Sequence, residues 1–366
     1  MKRNSIMLIL VCMSWMYFPA AVLAAPLSAE EFNASSISNE LWTGAVVMIG
    51  TPDTVLFMQA WGWMDKSRDM PMPVDAVFDL ASVTKAVGTA TALAVCMDKG
   101  LIDPDSVFTN YLPQYAGELK GAVSVRDLAR HISGFSNGKP YAVAGEVTER
   151  IMRFSPVLSA GETYEYSCGN FILLGLIAEH VAKEDLAELC HKNVFMPLGM
   201  DDTGWGPLQN PEPERVVRQG ITHTLGVASD MAARQAQHPL GNAGLFSTAE
   251  DLSVFCRMIL GNGVYKGKQI LSSKAVHLLG FLPDKKSPVA FGWRVGTKFN
   301  PRPLSSSTMS HTGWAGSSLW IDHVSQRYVI VLTNRIGNHA QASSARIKLA
   351  EYALNENVSS SAENPQ

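Results

Sequence analysis

Leu80-Ala-Ser82-Val-Thr-Lys85-Ala-Val-Gly-Thr-Ala-Thr-Ala-Leu-Ala-Val-Cys96-Met97 runs for 18 residues with one charge, on Lys85. Small and apolar residues fall on every side of it, the pattern of a helix buried all round. A lone lysine there must find partners or shift toward the neutral amine, because burial disfavours the ammonium, and Lys85 is expected to be at least partly neutral near pH 7. Ser82 lies three residues earlier, on the same helical face. If the helix begins at Ser82, the hydroxyl faces free backbone N–H groups and Lys85 reaches it from one turn along. Four residues would then supply a nucleophile, a base and half of an oxyanion hole. The same pair also reads as a serine that caps a helix and a lysine whose amine reaches solvent.

Outward from this stretch, residues 46–49 and 55–60 are short apolar runs separated by Gly50-Thr-Pro-Asp53, which reads as strand, turn, strand. Residues 317–321 and 328–333 form a second such pair, and 341–355 read as a closing helix. Between these ends the signals are mostly helical. Residues 123–132 begin at a Ser124 cap, 171–181 repeat apolar residues every three or four positions, and Thr248-Ala-Glu-Asp251 opens a helix that ends at Gly261. The expected fold is therefore α+β: an antiparallel sheet built from both chain ends and flanked by helices, with an inserted, mostly helical lobe. The sheet lobe takes about 25–80 and 285–355, and the helical lobe about 81–284. Residues 205–239 have little periodicity and are long for a connection. The polar end, 356–366, is expected to be a disordered tail.

The 366 residues are 46% apolar and 17% charged, which excludes disorder and allows a large core. Lys2 and Arg3 precede an apolar run at 6–17, and Val22-Leu23-Ala24 places small residues at a cleavage site, so 1–24 read as a secretory signal peptide. The formal charge is −3; without Lys2 and Arg3 it is 28 basic against 33 acidic residues, or −5. A nucleic-acid partner is not expected, nor is a membrane span after signal cleavage. The expected location is periplasmic or secreted from a bacterium. Cys96 and Cys256 lie in apolar helical stripes and read as buried thiols.

Two further stretches carry chemistry. Tyr164-Glu-Tyr166-Ser-Cys168-Gly-Asn170 stands just before a strongly apolar helix. A phenol near an ammonium serves as a general base, although a core or capping tyrosine has the same signature. Ser310-His311-Thr312-Gly313-Trp314 directly precedes the strand pair at 317–333. Its glycine permits close backbone approach and the next N–H could complete an oxyanion hole, although an edge-strand turn with a surface histidine reads the same way.

In their order and surroundings these stretches resemble the serine β-lactamase / penicillin-binding-protein superfamily, on the branch with class C β-lactamases, D-alanyl-D-alanine carboxypeptidases and related esterases. Ser82-Val-Thr-Lys85 matches Ser-x-x-Lys, Tyr166-Ser-Cys168 stands at the Tyr-x-Asn position, and His311-Thr312-Gly313 matches His/Lys-Thr-Gly. The resemblance extends to Arg126-Asp-Leu-Ala-Arg-His131-Ile-Ser-Gly-Phe135 and to Gly241-Asn-Ala-Gly-Leu-Phe-Ser-Thr248.

It implies a β-lactamase/transpeptidase-like fold and acyl transfer, with Ser82 as nucleophile and Lys85 and Tyr166 moving its proton. The N–H groups of Ser82 and Trp314 would hold the oxyanion, and His311, Thr312, Gly313 and Cys168 would meet substrate. No cofactor or metal is implied, and the nine histidines contain no His-Glu-x-x-His cluster. Two departures stand out. Cys168 replaces the Asn whose amide contacts substrate in β-lactam- and peptide-processing relatives, and a thiol donates weakly and offers no carbonyl. His311 replaces the Lys of efficient class C β-lactamases, and a neutral imidazole binds carboxylate less strongly. Both lower the expectation of efficient β-lactam hydrolysis. The reading is a hydrolase of a small ester or a cell-wall peptide. The alternatives are a penicillin-recognising or peptidoglycan-binding protein with little turnover, or a weak β-lactamase.

Overall fold

Strand β1 (Trp42–Gly50) is buried along its whole length, and the rest of the molecule is layered on it. The computed structural model describes residues 27–116, 123–137, 147, 157–218, 224–236, 238–296 and 300–362; the segment read as a signal peptide lies outside them. With β2 (Val55–Gly62), β3 (Arg294–Val295), β4 (Met309–Thr312), β5 (Ser317–Asp322) and β6 (Arg327–Arg335), β1 forms a six-stranded antiparallel sheet. The order is β2-β1-β6-β5-β4-β3, so the N-terminal hairpin joins the C-terminal strands through the pair β1–β6. This is the sheet built from both chain ends that the sequence implies.

Both faces of this sheet are covered, and for that reason its strands read as continuous apolar runs rather than as alternations. Val47, Ile49, Val329 and Val331 point toward helices α1 (Ala29–Ser38) and α6 (His339–Ala362), the terminal layer. Val46, Met48, Ile330 and Leu332 point the other way, into the core shared with α2 (Thr91–Asp98), α4 (Cys168–Ala182) and α5 (Ala249–Leu260). Each such side chain contributes about 1.5–3 kcal/mol on burial.

Helix starts follow their caps. Ser28 and Glu31 close a capping box on α1, Ser124 and Asp127 close one on α3 (Val125–Ala129), and Thr248 accepts the Asp251 amide at 3.1 Å. Helix ends depart from the expected bounds. α3 stops at Ala129 rather than running to 132, because His131 takes a left-handed φ of 56°. α6 runs on to Ala362, where a disordered tail was expected from 356; the Glu356 carboxylate accepts the Ala29 amide at 2.5 Å and ties the last helix to the first. The stretch opening at Leu80 is not one uniform helix. A 3-10 turn (Ala81–Val83) leads into a π turn (Lys85–Ala90) and then into α2. Thr91 Oγ1 bonds the Ala86 carbonyl five residues back and supports the wide turn. Within 205–239 a short helix, Met231–Gln235, is present, and residues 219–223 and 237 lie outside the described set. Among the described residues no helix is long and apolar enough to cross a membrane.

One side chain stitches β1 to β6 where their register shifts between Trp42 and Ala45. The buried Asn334 Oδ1 accepts the amides of Thr43 (3.1 Å) and Gly44 (2.8 Å). Its Nδ2 donates to Met64 O (2.8 Å), Trp63 O (3.2 Å) and Thr43 Oγ1. Asn334→Ala would strand several buried backbone groups at about 1–3 kcal/mol each. A loss of roughly 2–4 kcal/mol is expected in urea unfolding; a midpoint equal to wild type would show that water replaces the amide fully.

Candidate active site

The turn that carries Ser82 is set by its neighbours. Asp79, buried, accepts the Ala81 amide on Oδ1 at 2.8 Å and the Ser229 amide on Oδ2 at 2.7 Å. Those bonds hold Ala81 at φ 46°, a left-handed geometry that costs an alanine about 1–2 kcal/mol. Ser82 follows, half-buried, with the fully buried Lys85 one turn on. Lys85 Nζ donates to Ser82 Oγ at 3.0 Å, to the Asn242 carbonyl at 2.8 Å and to Cys168 Sγ at 3.5 Å. The Tyr166 hydroxyl is 3.0 Å from the same Ser82 oxygen, and Lys85 Nζ lies 5.1 Å from the Tyr166 ring centre. The folded chain thus brings Ser82, Lys85, Tyr166 and Cys168 together from two segments more than 80 residues apart.

The HTG segment arrives from the sheet edge. Gly313 N donates to Ser317 O at 2.8 Å, and Ser317 Oγ donates to the Leu80 carbonyl at 2.7 Å, so β5 grips the residue two before Ser82. A Cβ on Gly313 would collide with Ser317 Oγ and with that carbonyl, and only glycine fits. Trp314 stands at the rim, 45% exposed. His311 is buried rather than on the surface, its Nδ1 3.1 Å from the Thr312 carbonyl.

The electrostatics correct one expectation. Burial drives Lys85 toward the neutral amine, as its solitary position implied. Cys168 and Tyr166 beside it, with Asp230 further off, outweigh that effect, and the net shift is upward. Burial likewise raises the Tyr166 phenol, against the pull of Lys85. His311 is pushed well below the ordinary histidine range by burial and then by Arg294, Lys85 and His131, so its imidazole is neutral near pH 7.

Four participants were not singled out as site residues by the sequence, although one of them, Asn242, lies inside the Gly241–Thr248 stretch. Asn242 gives Lys85 a backbone carbonyl, which no side-chain pattern encodes. Arg294 Nη1 lies 3.4 Å from Thr312 Oγ1, brought there because β3 pairs with β4. Arg335 Nε donates to the Trp314 carbonyl at 2.6 Å while its guanidinium sits 4.1 Å from the Trp314 ring centre. Asp79 is too short a step from Ser82 to stand out. Asn170, two residues past Cys168, is bonded elsewhere: its Oδ1 accepts from Ser133 Oγ at 2.7 Å. Among the described residues no group of three or more His, Cys, Asp or Glu is placed to hold a metal ion.

A serine whose oxygen meets an ammonium and a phenol, at the edge of an antiparallel sheet with a helical lobe, defines a serine-hydrolase type of site. The chain belongs to the Beta-lactamase family, whose model matches residues 36–354. Among curated relatives, it is 27% identical to "Putative D-alanyl-D-alanine carboxypeptidase" of Escherichia coli (strain K12), over 92% of this chain and 91% of that one. Among solved structures, a penicillin-binding protein homolog from Caulobacter crescentus superposes with a TM-score of 0.72 at 19% identity, covering 89% of this chain and 96% of the other. A family VIII carboxylesterase superposes with a TM-score of 0.69 at 18% identity, over 89% and 96%. These two likenesses show the fold, which is that of β-lactamases and penicillin-binding proteins.

The charge state of Lys85 is open to direct measurement. Carbon-13 NMR of lysine-labelled protein should show one ε-carbon that stays in the ammonium form past the ordinary lysine midpoint of about 10.4. A Lys85 midpoint below that value, identified by its loss in Lys85→Arg, contradicts the upward shift.

Proposed function

We propose that the protein is a secreted or periplasmic serine hydrolase that cleaves an ester or a D-amino-acid-containing peptide through an acyl-enzyme on Ser82. The observation that carries this reading is the meeting of Lys85 Nζ and Tyr166 Oη on Ser82 Oγ, each at 3.0 Å. Ser82 attacks the carbonyl. Tyr166 and Lys85 share the transfer of its proton and return it to the leaving group. The N–H groups of Ser82 and Trp314 hold the oxyanion, and water then releases the acyl group. The residues of 1–24 are the reason for placing the protein outside the inner membrane. A carboxypeptidase is the name given to the curated relatives, and a carboxylesterase is among the structural neighbours.

The substrate side favours esters and carboxylate-bearing peptides over efficient β-lactam turnover. Neutral, buried His311 supplies no cation. Arg294 beside Thr312 supplies one instead, at the edge of the strand that a substrate would line. Cys168 Sγ occupies the place beside Lys85 where an asparagine amide would offer both a donor and an acceptor to a substrate amide.

Ser82→Ala is expected to lower p-nitrophenyl ester hydrolysis by several orders of magnitude with the fold intact; activity within about tenfold of wild type would remove Ser82 from the nucleophile role. Cys168→Asn should raise acylation by penicillins or D-alanyl peptides relative to simple esters by roughly five- to a hundredfold, since a buried substrate amide regains partners. The ratio is read by intact-protein mass spectrometry. A flat ratio would shift the selectivity question to the 205–239 segment.

The acid–base pair also sets a pH dependence. Tyr166 and Lys85 are both displaced upward, so the proton-accepting form of the pair is scarce at neutral pH and grows as pH rises. Ester kcat/KM should therefore climb through the neutral range toward alkaline pH. An optimum near pH 6 would contradict the pair's role as base.

A further inference from the structure

His131 belongs to the stretch from Arg126 to Phe135 and takes no step in the chemistry proposed above. It is nevertheless buried directly against Tyr166, with ring centres 4.6 Å apart and planes inclined by 38°. Its other ring neighbours are Phe171 at 5.2 Å and Tyr164 at 6.3 Å. The backbone on both sides of Tyr166 is tied to the same residue. The Glu165 amide donates to the His131 carbonyl at 2.9 Å, and the Ser167 amide donates to His131 Nδ1 at 3.1 Å. Asn170 Nδ2 stands 3.3 Å from that nitrogen, and the bond from Ser133 to its Oδ1 fixes which end of the amide faces the ring.

Nδ1 accepts in this arrangement only while it carries no proton. Burial, and after it the charges of Lys85 and Arg294, hold His131 well below the ordinary histidine range, so the acceptor persists. His131 reaches this position through a left-handed φ of 56°, a geometry a non-glycine residue keeps only where its surroundings over-determine it.

We propose that His131 is a positioning residue for the Tyr166 phenol: its imidazole forms the floor under the ring, and its Nδ1 and carbonyl fix the two peptides that carry the ring. This rests on the reading of Tyr166 as a proton-transfer group on Ser82. The phenol has 3.0 Å to span to Ser82 Oγ, and a rotation of the 165–167 backbone would move it out of reach.

The test is a double-mutant cycle on the acylation rate with a p-nitrophenyl ester, normalised to active sites by burst amplitude. His131→Phe keeps a ring floor and removes the acceptor. It is expected to slow acylation roughly tenfold to a hundredfold with KM within about twofold. In a Tyr166→Phe background the same substitution should cost no more than about threefold, because the group it positions has gone. Equal factors in the two backgrounds, or a wild-type rate in His131→Phe, would overturn this proposal alone. Wild-type activity in Tyr166→Phe would overturn the assignment of Tyr166 and this proposal together. Should His131→Phe not accumulate in folded form, His131→Asn carries the cycle by removing the ring floor instead, because asparagine tolerates the left-handed backbone.

Discussion

A buried ammonium must use all of its donors, and Lys85 does so with three acceptors from three parts of the chain. Ser82 lies one turn before it, Cys168 opens α4, and the Asn242 carbonyl belongs to the loop before Leu245–Ser247. Satisfying one charge therefore locks the Ser82 turn, the helix behind Tyr166 and the loop after the 224–236 segment into one arrangement. The π turn at Lys85–Ala90 belongs to the same arrangement, with Thr89 donating to the Gly241 carbonyl at 2.7 Å beside the Asn242 contact. Loss of any acceptor would leave one N–H of a buried ammonium without a partner, a larger cost than one lost neutral hydrogen bond.

The sheet enters the site through backbone rather than side-chain chemistry. β4 ends at Thr312, and Gly313 then passes so close to Leu80 that no side chain fits. Ser317 on β5 bonds the Leu80 carbonyl, and Arg335 at the end of β6 holds the Trp314 carbonyl. The peptides at Ser82 and Trp314, which the proposed mechanism uses to hold an oxyanion, are thus anchored to adjacent strands of one layer. Such anchoring lets hydrogen-bond donors act without reorganising during a reaction.

Much of the fold was legible because its signals are local. The paired apolar runs at each chain end, the caps at Ser124 and Thr248, and the glycine at 313 each follow from the residue and its immediate neighbours. Helix ends were less legible. Nothing in the residues around His131 announces a left-handed backbone, and the extension of α6 past 355 involves a carboxylate bonding an amide some 327 residues away in sequence.

By itself the sequence determined which residues could do chemistry: a serine and a lysine one turn apart in an uncharged helix, a tyrosine ahead of an apolar helix, and a His-Thr-Gly run ahead of a strand pair. Tertiary structure decided how those groups behave. The isolation of Lys85 along the chain implied a shift toward the neutral amine, yet folding brings Tyr166, Cys168 and Asp230 near and reverses it. It turned His311 from a candidate surface residue into a buried neutral one, and it placed Arg294, Arg335 and Asn242 at the site. The physical reason is one of range. Propensity, capping and periodicity act over a few residues, whereas the field at a buried charge is summed over everything within several ångströms, whatever its place in the chain.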